Sequence, residues 1–393
     1  MSRSTVQESK GQQGEQVRKL GLHTIWLPNT HWTESTKDLR SGSSDQFVLN
    51  IHNIVLLLRS QVILFSSRKK WGLLFALATI SGMFCLPASA DQIRNEKAAF
   101  FDNRVSLLIS LALPLSTLLI ITGMYILNDL FDADLDRKNG KINRPIPSGR
   151  VSKRQAVVFV VLTNVIGLSV PIFANNIMGI ALASMIAMIG ILYSLPKISL
   201  KDKFVIKTCA IAVAMACSLL LGASMYLNQD FGSDTPRIGT IGWMGFQTNG
   251  QFLYPMFAGA MLALMVFVTS PLNDLGDIKG DKEAGRKTIP IVLGMKNTIR
   301  LSMLITMGIV VSSWMFYAIW TSEIAYSYNQ TPIRYVIGLP LLISGTCILV
   351  VIHLFTVLKR IEDQNYIRQS VSKKSMPLHL LLQISLVIGC FLL

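Results

Sequence analysis

Apolar residues fall in long blocks along this chain, without the period-two alternation of half-buried strands or the one-sided striping of helices on a soluble core. Nine blocks, at 71–90, 105–127, 155–173, 177–195, 205–226, 253–272, 299–320, 335–357 and 377–393, are each long enough to cross about 30 Å of hydrocarbon as a helix. Lipid offers the backbone no hydrogen-bond partners, so the blocks predict an all-α integral membrane protein with nine transmembrane helices over 71–393. Ahead of them, residues 47–66 are apolar but interrupted by Asn50, His52, Asn53 and Arg59. That pattern predicts an amphipathic helix lying in the interface, continued by a basic lead-in to residue 70. Residues 1–46 are polar and rich in Ser, Gln, Thr and charge, the composition of a disordered segment.

Composition agrees with a membrane setting, since 51% of the 393 residues are hydrophobic and only 15% are charged. The charge is also sorted along the chain. Loops 137–154, 196–204, 279–290 and 358–375 are basic, whereas 91–104, 174–176, 227–252 and 321–334 are neutral or slightly acidic. Short loops rich in Lys and Arg stay in the cytoplasm, so the alternation predicts a multi-pass protein of the cell membrane with its N-terminus inside and its C-terminus outside. Topology and contact with anionic headgroups of membrane lipid then account for the net charge of +15, and no nucleic-acid partner is needed. The five cysteines lie in predicted spans without paired spacing, and the five histidines form no ligand spacing, so neither thiol nor imidazole chemistry is expected.

The chemistry concentrates in two copies of one spacing, each at the exit of an apolar block. The first is Asn128-Asp129-x-x-Asp132-x-x-x-Asp136 and the second Asn273-Asp274-x-x-Asp277-x-x-x-Asp281. If each block continues as a helix, Asn128, Asp132 and Asp136 share one face, as do Asn273, Asp277 and Asp281. Two carboxylates roughly 6 Å apart repel by about 3 kcal/mol at an effective dielectric of about 20, so cations are required between them. Oxygen donors without Cys or His select hard ions, and Mg²⁺ is held by a few carboxylates together with phosphate oxygens. The paired motifs therefore predict a Mg²⁺–diphosphate site. A calcium loop does not fit Asp132-Ala-Asp134-Leu-Asp136, because Arg137 stands where a Gly is needed and Asn143 where a Glu is needed. Solvated helix ends explain one such motif more readily than two of identical spacing at the same predicted surface.

With these residues the chain resembles the UbiA-type intramembrane prenyltransferase superfamily over about 70–393. The first motif is followed by Arg144-Pro-Ile-Pro-Ser-Gly149 and the second by Gly285-Arg286-Lys287-Thr288, and both continuations are similar to the family pattern. Between them, Tyr193-Ser-Leu-Pro-Lys197 looks like the family's Y-x-x-x-K element. The resemblance implies a nine-helix bundle that binds an isoprenyl diphosphate, geranylgeranyl or similar, through Mg²⁺ and passes the isoprenyl group to a hydrophobic lipid or aromatic acceptor. It implies that Asn128, Asp132 and Asp136 hold one Mg²⁺ and that Asp277 with Asp281 holds another, assisted by Asp129 and Asp274. The implied catalytic set is Asp132, Asp136, Asp277, Asp281 and Arg144, the last favoured for its planar fork. The implied substrate contacts are Asn128, Lys141, Tyr193, Lys197, Asn273, Arg286 and Lys287. The two basic continuations look most like those of digeranylgeranylglyceryl phosphate synthases, whose acceptor is a glycerol-phosphate lipid. The pair Asn273-Asp274 and the N-terminal ~65 residues depart from the common pattern.

The chemistry so implied is ionisation of an allylic diphosphate. Its C–O bond breaks to give a carbocation and diphosphate, and catalysis consists of stabilising the charge that gathers on the leaving group. A water-poor chamber protects the cation from hydrolysis. Phe84, Tyr125, Phe131, Tyr254 and Phe257 are candidates to face the cation, with core packing as the alternative for each. Two other readings stay open at this point: a terpene cyclase of the same superfamily that needs no acceptor, and a transporter or non-catalytic isoprenoid-binding membrane protein.

Overall fold

The computed structural model describes residues 43–85, 104–138, 143–224, 253–328 and 337–392. The polar segment up to residue 42 and Lys141 lie outside the described residues. Nine helices of 18 residues or more run through the described part: α1 Ser43–Phe84, α2 Arg104–Lys138, α3 Lys153–Phe173, α4 Ile177–Ser194, α5 Ile206–Ala223, α6 Leu253–Asp274, α7 Met295–Tyr328, α8 Gly338–Lys359 and α9 Ser372–Leu392. Short helices at Ile278–Glu283 and Ile289–Leu293 connect α6 to α7. Seven helices, α2 to α8, contain stretches long and apolar enough to cross a membrane, against the nine spans expected from the sequence. The protein is thus a multi-pass membrane protein whose regular elements, among the described residues, are all helices.

α1 differs from the expected division at residue 70. Its 42 residues form one unbroken helix that takes in both the expected interfacial segment and the expected first span, and it ends at Phe84 rather than Ala90. The triplet Arg68-Lys69-Lys70 reads as a membrane boundary in the sequence. In the structure it lies in mid-helix, and the Arg68 side chain forms an ion pair with Asp129 of α2.

Close helix crossings rest on small residues. At the crossing of α1 and α5, a Cβ on Gly82 would lie 1.8 Å from the Leu219 carbonyl oxygen, and one on Gly222 would lie 1.8 Å from that of Thr79. Only glycine lets the two backbones touch there. Thr79 and Thr117 exchange a hydroxyl hydrogen bond of 2.8 Å between α1 and α2. α3 starts at a capping box in which Ser152 and Gln155 satisfy one another's backbone amides.

α2 packs on α3 and α4, α5 lies between α4 and α6, and α6 also carries α7 and α9. The C-terminal end of α2, the turn at Leu200–Asp202, the start of α5 and the end of α6 therefore meet at one end of the bundle. Leu113, Ile120, Ile186, Leu219, Leu262 and Met265, all fully buried or nearly so, fill the core beneath.

Candidate active site

The first acidic motif is built as expected. α2 continues through Lys138, so Asn128, Asp132 and Asp136 stand on successive turns of one helix. The second motif is not. α6 stops at Asp274, the chain turns through Leu275, Gly276 and Asp277, and Asp281 stands on the separate helix Ile278–Glu283. The expectation of one continuous face through Asn273, Asp277 and Asp281 is thereby corrected. Gly276 is the physical reason, since glycine costs about 1 kcal/mol in a helix interior and stands at the break between the two helices. Short-range bonds from Leu275 to Leu272 and from Asp277 to Asp274 tighten the turn.

Five basic side chains neutralise the buried acids. Arg68 grips Asp129 in a two-pronged ion pair, Nε to Oδ2 at 2.6 Å, and Arg144 joins Asp129 at 3.2 Å to Asp136. Lys201 donates to Asp132 Oδ1 at 2.7 Å and to Asn128 Oδ1 at 3.0 Å. Lys207 pairs with Asp274 at 2.6 Å. Arg286 ties the two motifs together: its Nη2 lies 3.0 Å from both oxygens of Asp132, its Nη1 lies 3.2 Å from Asp281, and its Nε lies 3.0 Å from Asp202. Burial alone lowers the pKa of Arg286, but Asp132, Asp281 and Asp202 outweigh it and hold the guanidinium above its ordinary value.

Several of the expected site residues are exposed, unlike the buried acids of this network. Lys197 is exposed and forms no ion pair among the described residues, whereas Lys201 is only 7% exposed. The positive φ values of Ser199 (39°) and Val205 (60°) bracket the turn that carries Lys201 inward. The Lys287 side chain is exposed, and its backbone N–H donates to the Asp202 carbonyl at 3.0 Å. Asp277 is exposed, with its carbonyl accepting from the Asp281 amide. Arg68, Lys201, Asp202 and Lys207 are participants that the motif reading did not select. Lys207 carries a signal nonetheless, being a cation within the apolar block 205–226, where a charge is a functional candidate by default.

An apolar cavity opens from this network into the bundle. Asn128 and Tyr193 stand at its polar end, and Ile121, Ile186, Ala214 and Phe75 line it further in. Asn128 to Ile121 and Tyr193 to Ile186 are each two helical turns, so the cavity is about 10 Å deep. Of the five aromatics proposed to face a cation, Tyr125 lines this cavity and stacks on Trp71. Phe84 and Phe131 are exposed, while Tyr254 and Phe257 pack with Phe316 in the core.

The donor set suits a hard divalent ion. Asp129, Asp132, Asp136, Asp274 and Asp281 are all buried, no His or Cys joins them, and the Asn273 Oδ1 is buried without a hydrogen-bond partner. Among the described residues no three acidic, His or Cys side chains converge into a ready-made metal cage. Mg²⁺ does not require one, since it is usually bound by one or two carboxylates completed by phosphate oxygens and water.

The comparisons with known proteins agree with this architecture. A family model described as the UbiA prenyltransferase family matches residues 98–365. Digeranylgeranylglyceryl phosphate synthase from Methanoregula boonei is 26% identical over 246 residues, covering 61% of this chain and 78% of its own length. The synthases of Methanopyrus kandleri and Pyrococcus furiosus are 28% and 27% identical, and this chain spans 63% and 58% of their lengths. Among solved structures, one of a digeranylgeranylglyceryl phosphate synthase superimposes with a TM-score of 0.55 at 20% identity, covering 86% of this chain and 99% of that one. A UbiA homologue from Archaeoglobus fulgidus bound to GPP and Mg²⁺ gives 0.53 at 16% identity, covering 85% and 99%. At such identities the structures speak for the fold alone. The family model covers most of the chain and takes in both acidic motifs, so this protein belongs to the UbiA prenyltransferase family.

Proposed function

We propose that this prenyltransferase moves an isoprenyl group from an isoprenyl diphosphate to a hydrophobic acceptor inside the membrane, with Mg²⁺ held at the two acidic motifs. The observation that carries the reading is Arg286, which joins Asp132 of the first motif to Asp281 of the second beside the mouth of an apolar cavity. Diphosphate fits the polar end and an isoprenoid tail fits the apolar one.

Asn128, Asp132 and Asp136 on one side, with Asp281, Asp277 and Asn273 on the other, are the residues proposed to hold Mg²⁺, and Asp129 and Asp274 support them. When bound, Mg²⁺ supplies positive charge to the departing diphosphate. Lys201, Arg286 and Arg144 present N–H donors beside those acids. A unit charge pair at 4 Å is worth about 4 kcal/mol at an effective dielectric of 20, enough for these cations to favour charge building on a leaving group. The C–O bond breaks with its electron pair going to diphosphate, the acceptor bonds to the allylic carbon, and a proton leaves the acceptor. Tyr125, Ile121 and Ile186 line the chamber and keep water from the cation.

Geranylgeranyl diphosphate and a glycerol-phosphate lipid are the substrates suggested by the names of the relatives, and the basic loops support an active site facing the cytoplasm in a nine-span topology with the N-terminus inside. The cyclase alternative gains no support from these relatives. The test is diphosphate release by purified protein with Mg²⁺ and geranylgeranyl diphosphate, with and without geranylgeranylglyceryl phosphate, products being identified by mass spectrometry. Release that depends on acceptor supports the transferase reading. Equal release with and without acceptor, yielding a cyclic product, overturns it.

A further inference from the structure

A second basic cleft lies at the end of the bundle that carries the motifs, away from the acids. α7 begins there at Met295 and α8 returns there at Lys359, the two helices packing side by side. Lys296, Arg300, Lys359 and Arg360 line the cleft together with Glu362 and Asp363. Four cations face two carboxylates, an excess of two positive charges. In the catalytic network every buried acid has a basic partner. Here, among the described residues, none of the four cations forms an ion pair.

What the cations do touch is weak. Arg300 reaches the Asn297 side-chain oxygen at 3.3 Å, and Arg360 lies over the Tyr366 ring at 5.1 Å. The Asp363 carboxylate is occupied as a cap, accepting from the Tyr366 amide at 3.0 Å. Lys296 also sits in the first turn of a 34-residue helix, where the dipole opposes positive side chains and favours an anion. Lys359 and Arg360 close α8 at its C-terminal end, where the dipole favours cations, so the cleft holds positive charge on one wall and favours an anion on the other.

Below the cations, both helices present an exposed apolar stripe. On α7, Leu304, Met307 and Val311 continue the face of Arg300 at helical spacing, and on α8, Phe355, Ile352 and Ile348 continue the face of Lys359. A cationic cleft heading two parallel apolar stripes matches an amphiphile with a negative head.

We infer that this cleft binds an anionic phospholipid of the surrounding bilayer, its phosphate among Lys296, Arg300 and Lys359 and its chains along the α7–α8 stripes. Basic pockets between helix ends at a membrane surface have the chemistry for such headgroups. The site is separate from the diphosphate network and does not rest on the isoprenyl-transfer reading.

The full chain in detergent tests it by thermal unfolding with added phosphatidylglycerol, phosphatidylcholine or glycerol 3-phosphate. The expected result is a rise in Tm of several degrees with phosphatidylglycerol alone. The double variant Arg300→Gln/Lys359→Gln is expected to lose most of that rise, whereas Lys153→Gln/Arg154→Gln, removing the same charge at the start of α3, is expected to keep it. Equal shifts with phosphatidylglycerol and phosphatidylcholine overturn the proposal. So does an undiminished shift in the Arg300/Lys359 variant, which would assign the effect to general basicity, and so does a full shift with glycerol 3-phosphate, which would make the ligand a free phosphoester.

Discussion

Arg286 and Asp132, 154 residues apart in the chain, meet with one guanidinium nitrogen 3.0 Å from both carboxylate oxygens. The same guanidinium holds Asp281, so one side chain fixes the spacing of the two motifs. A lysine keeps the charge but loses the fork that engages several carboxylates at once. Arg286→Lys is expected to lower kcat/KM about 100-fold, or about 2.7 kcal/mol, and Arg286→Ala further. Diphosphate release at saturating Mg²⁺ measures it, with gel filtration in detergent to show that the variant is folded. Activity within threefold of the unaltered protein would remove Arg286 from its central place.

Lys201 and Lys197 separate the structural reading from the motif reading. Lys201→Met leaves the Asn128 Oδ1 without that donor and Asp132 with Arg286 as its remaining cation, and a buried polar group that loses a donor costs about 1–3 kcal/mol, more when it is charged. Lys197→Met removes an exposed side chain that pairs with nothing described. Turnover is expected to fall by at least 100-fold in the first and by less than threefold in the second. The reverse order would restore the Y-x-x-x-K element to the role the sequence suggested.

Legibility followed the length of each signal. α2 to α9 lie close to their apolar blocks, because hydrophobic length is a strong local pattern, whereas α1 starts well ahead of its block, and the first motif keeps its helical spacing because α2 simply continues. The second motif did not, since Gly276 ends the helix at a point where three residues of spacing look identical in sequence. Lys201 was missed for a different reason: reaching it depends on a left-handed turn at Ser199, and a serine does not announce such a turn as a glycine would. Arg68 and Lys69 look alike in the sequence, and only the partner Asp129 distinguishes them.

Position, rather than acidity, should decide which aspartates matter. Asp132 is buried between Lys201 and Arg286, whereas Asp134 is exposed and pairs with Lys153 and Arg137 at the surface. Surface pairs contribute about 0–1 kcal/mol. Asp132→Asn and Asp281→Asn are each expected to reduce turnover by at least about 1,000-fold, and Asp134→Asn to leave it within twofold. Chelation by EDTA is expected to abolish turnover, with Mg²⁺ restoring it in the native protein and in the Asp134 variant alone. Full activity in EDTA would sink the metal assignment.

The crossing of α1 and α5 links packing to the site. α1 brings Arg68 to Asp129 and Phe75 to the cavity, and α5 brings Lys207 to Asp274 and Ala214 to the same cavity. Their separation is set by Gly82 and Gly222, where an added Cβ would meet the opposite backbone at 1.8 Å. Backbone cannot yield as a flexible side chain can, so Gly222→Ala must push the helices apart, at about 1–3 kcal/mol for overpacking. Gly308 and Gly345 are also helical, but a Cβ there meets nothing within 4 Å, and alanine should be neutral or stabilising by up to about 1 kcal/mol. Thermal unfolding in detergent is therefore expected to show a lower midpoint for Gly222→Ala and an unchanged or higher one for Gly308→Ala. Because spreading α1 from α5 also loosens the cavity wall, Gly222→Ala should raise KM for the isoprenyl diphosphate more than it lowers kcat. A Gly222→Ala protein as stable as Gly308→Ala, with KM unchanged, would mean that the two backbones do not touch.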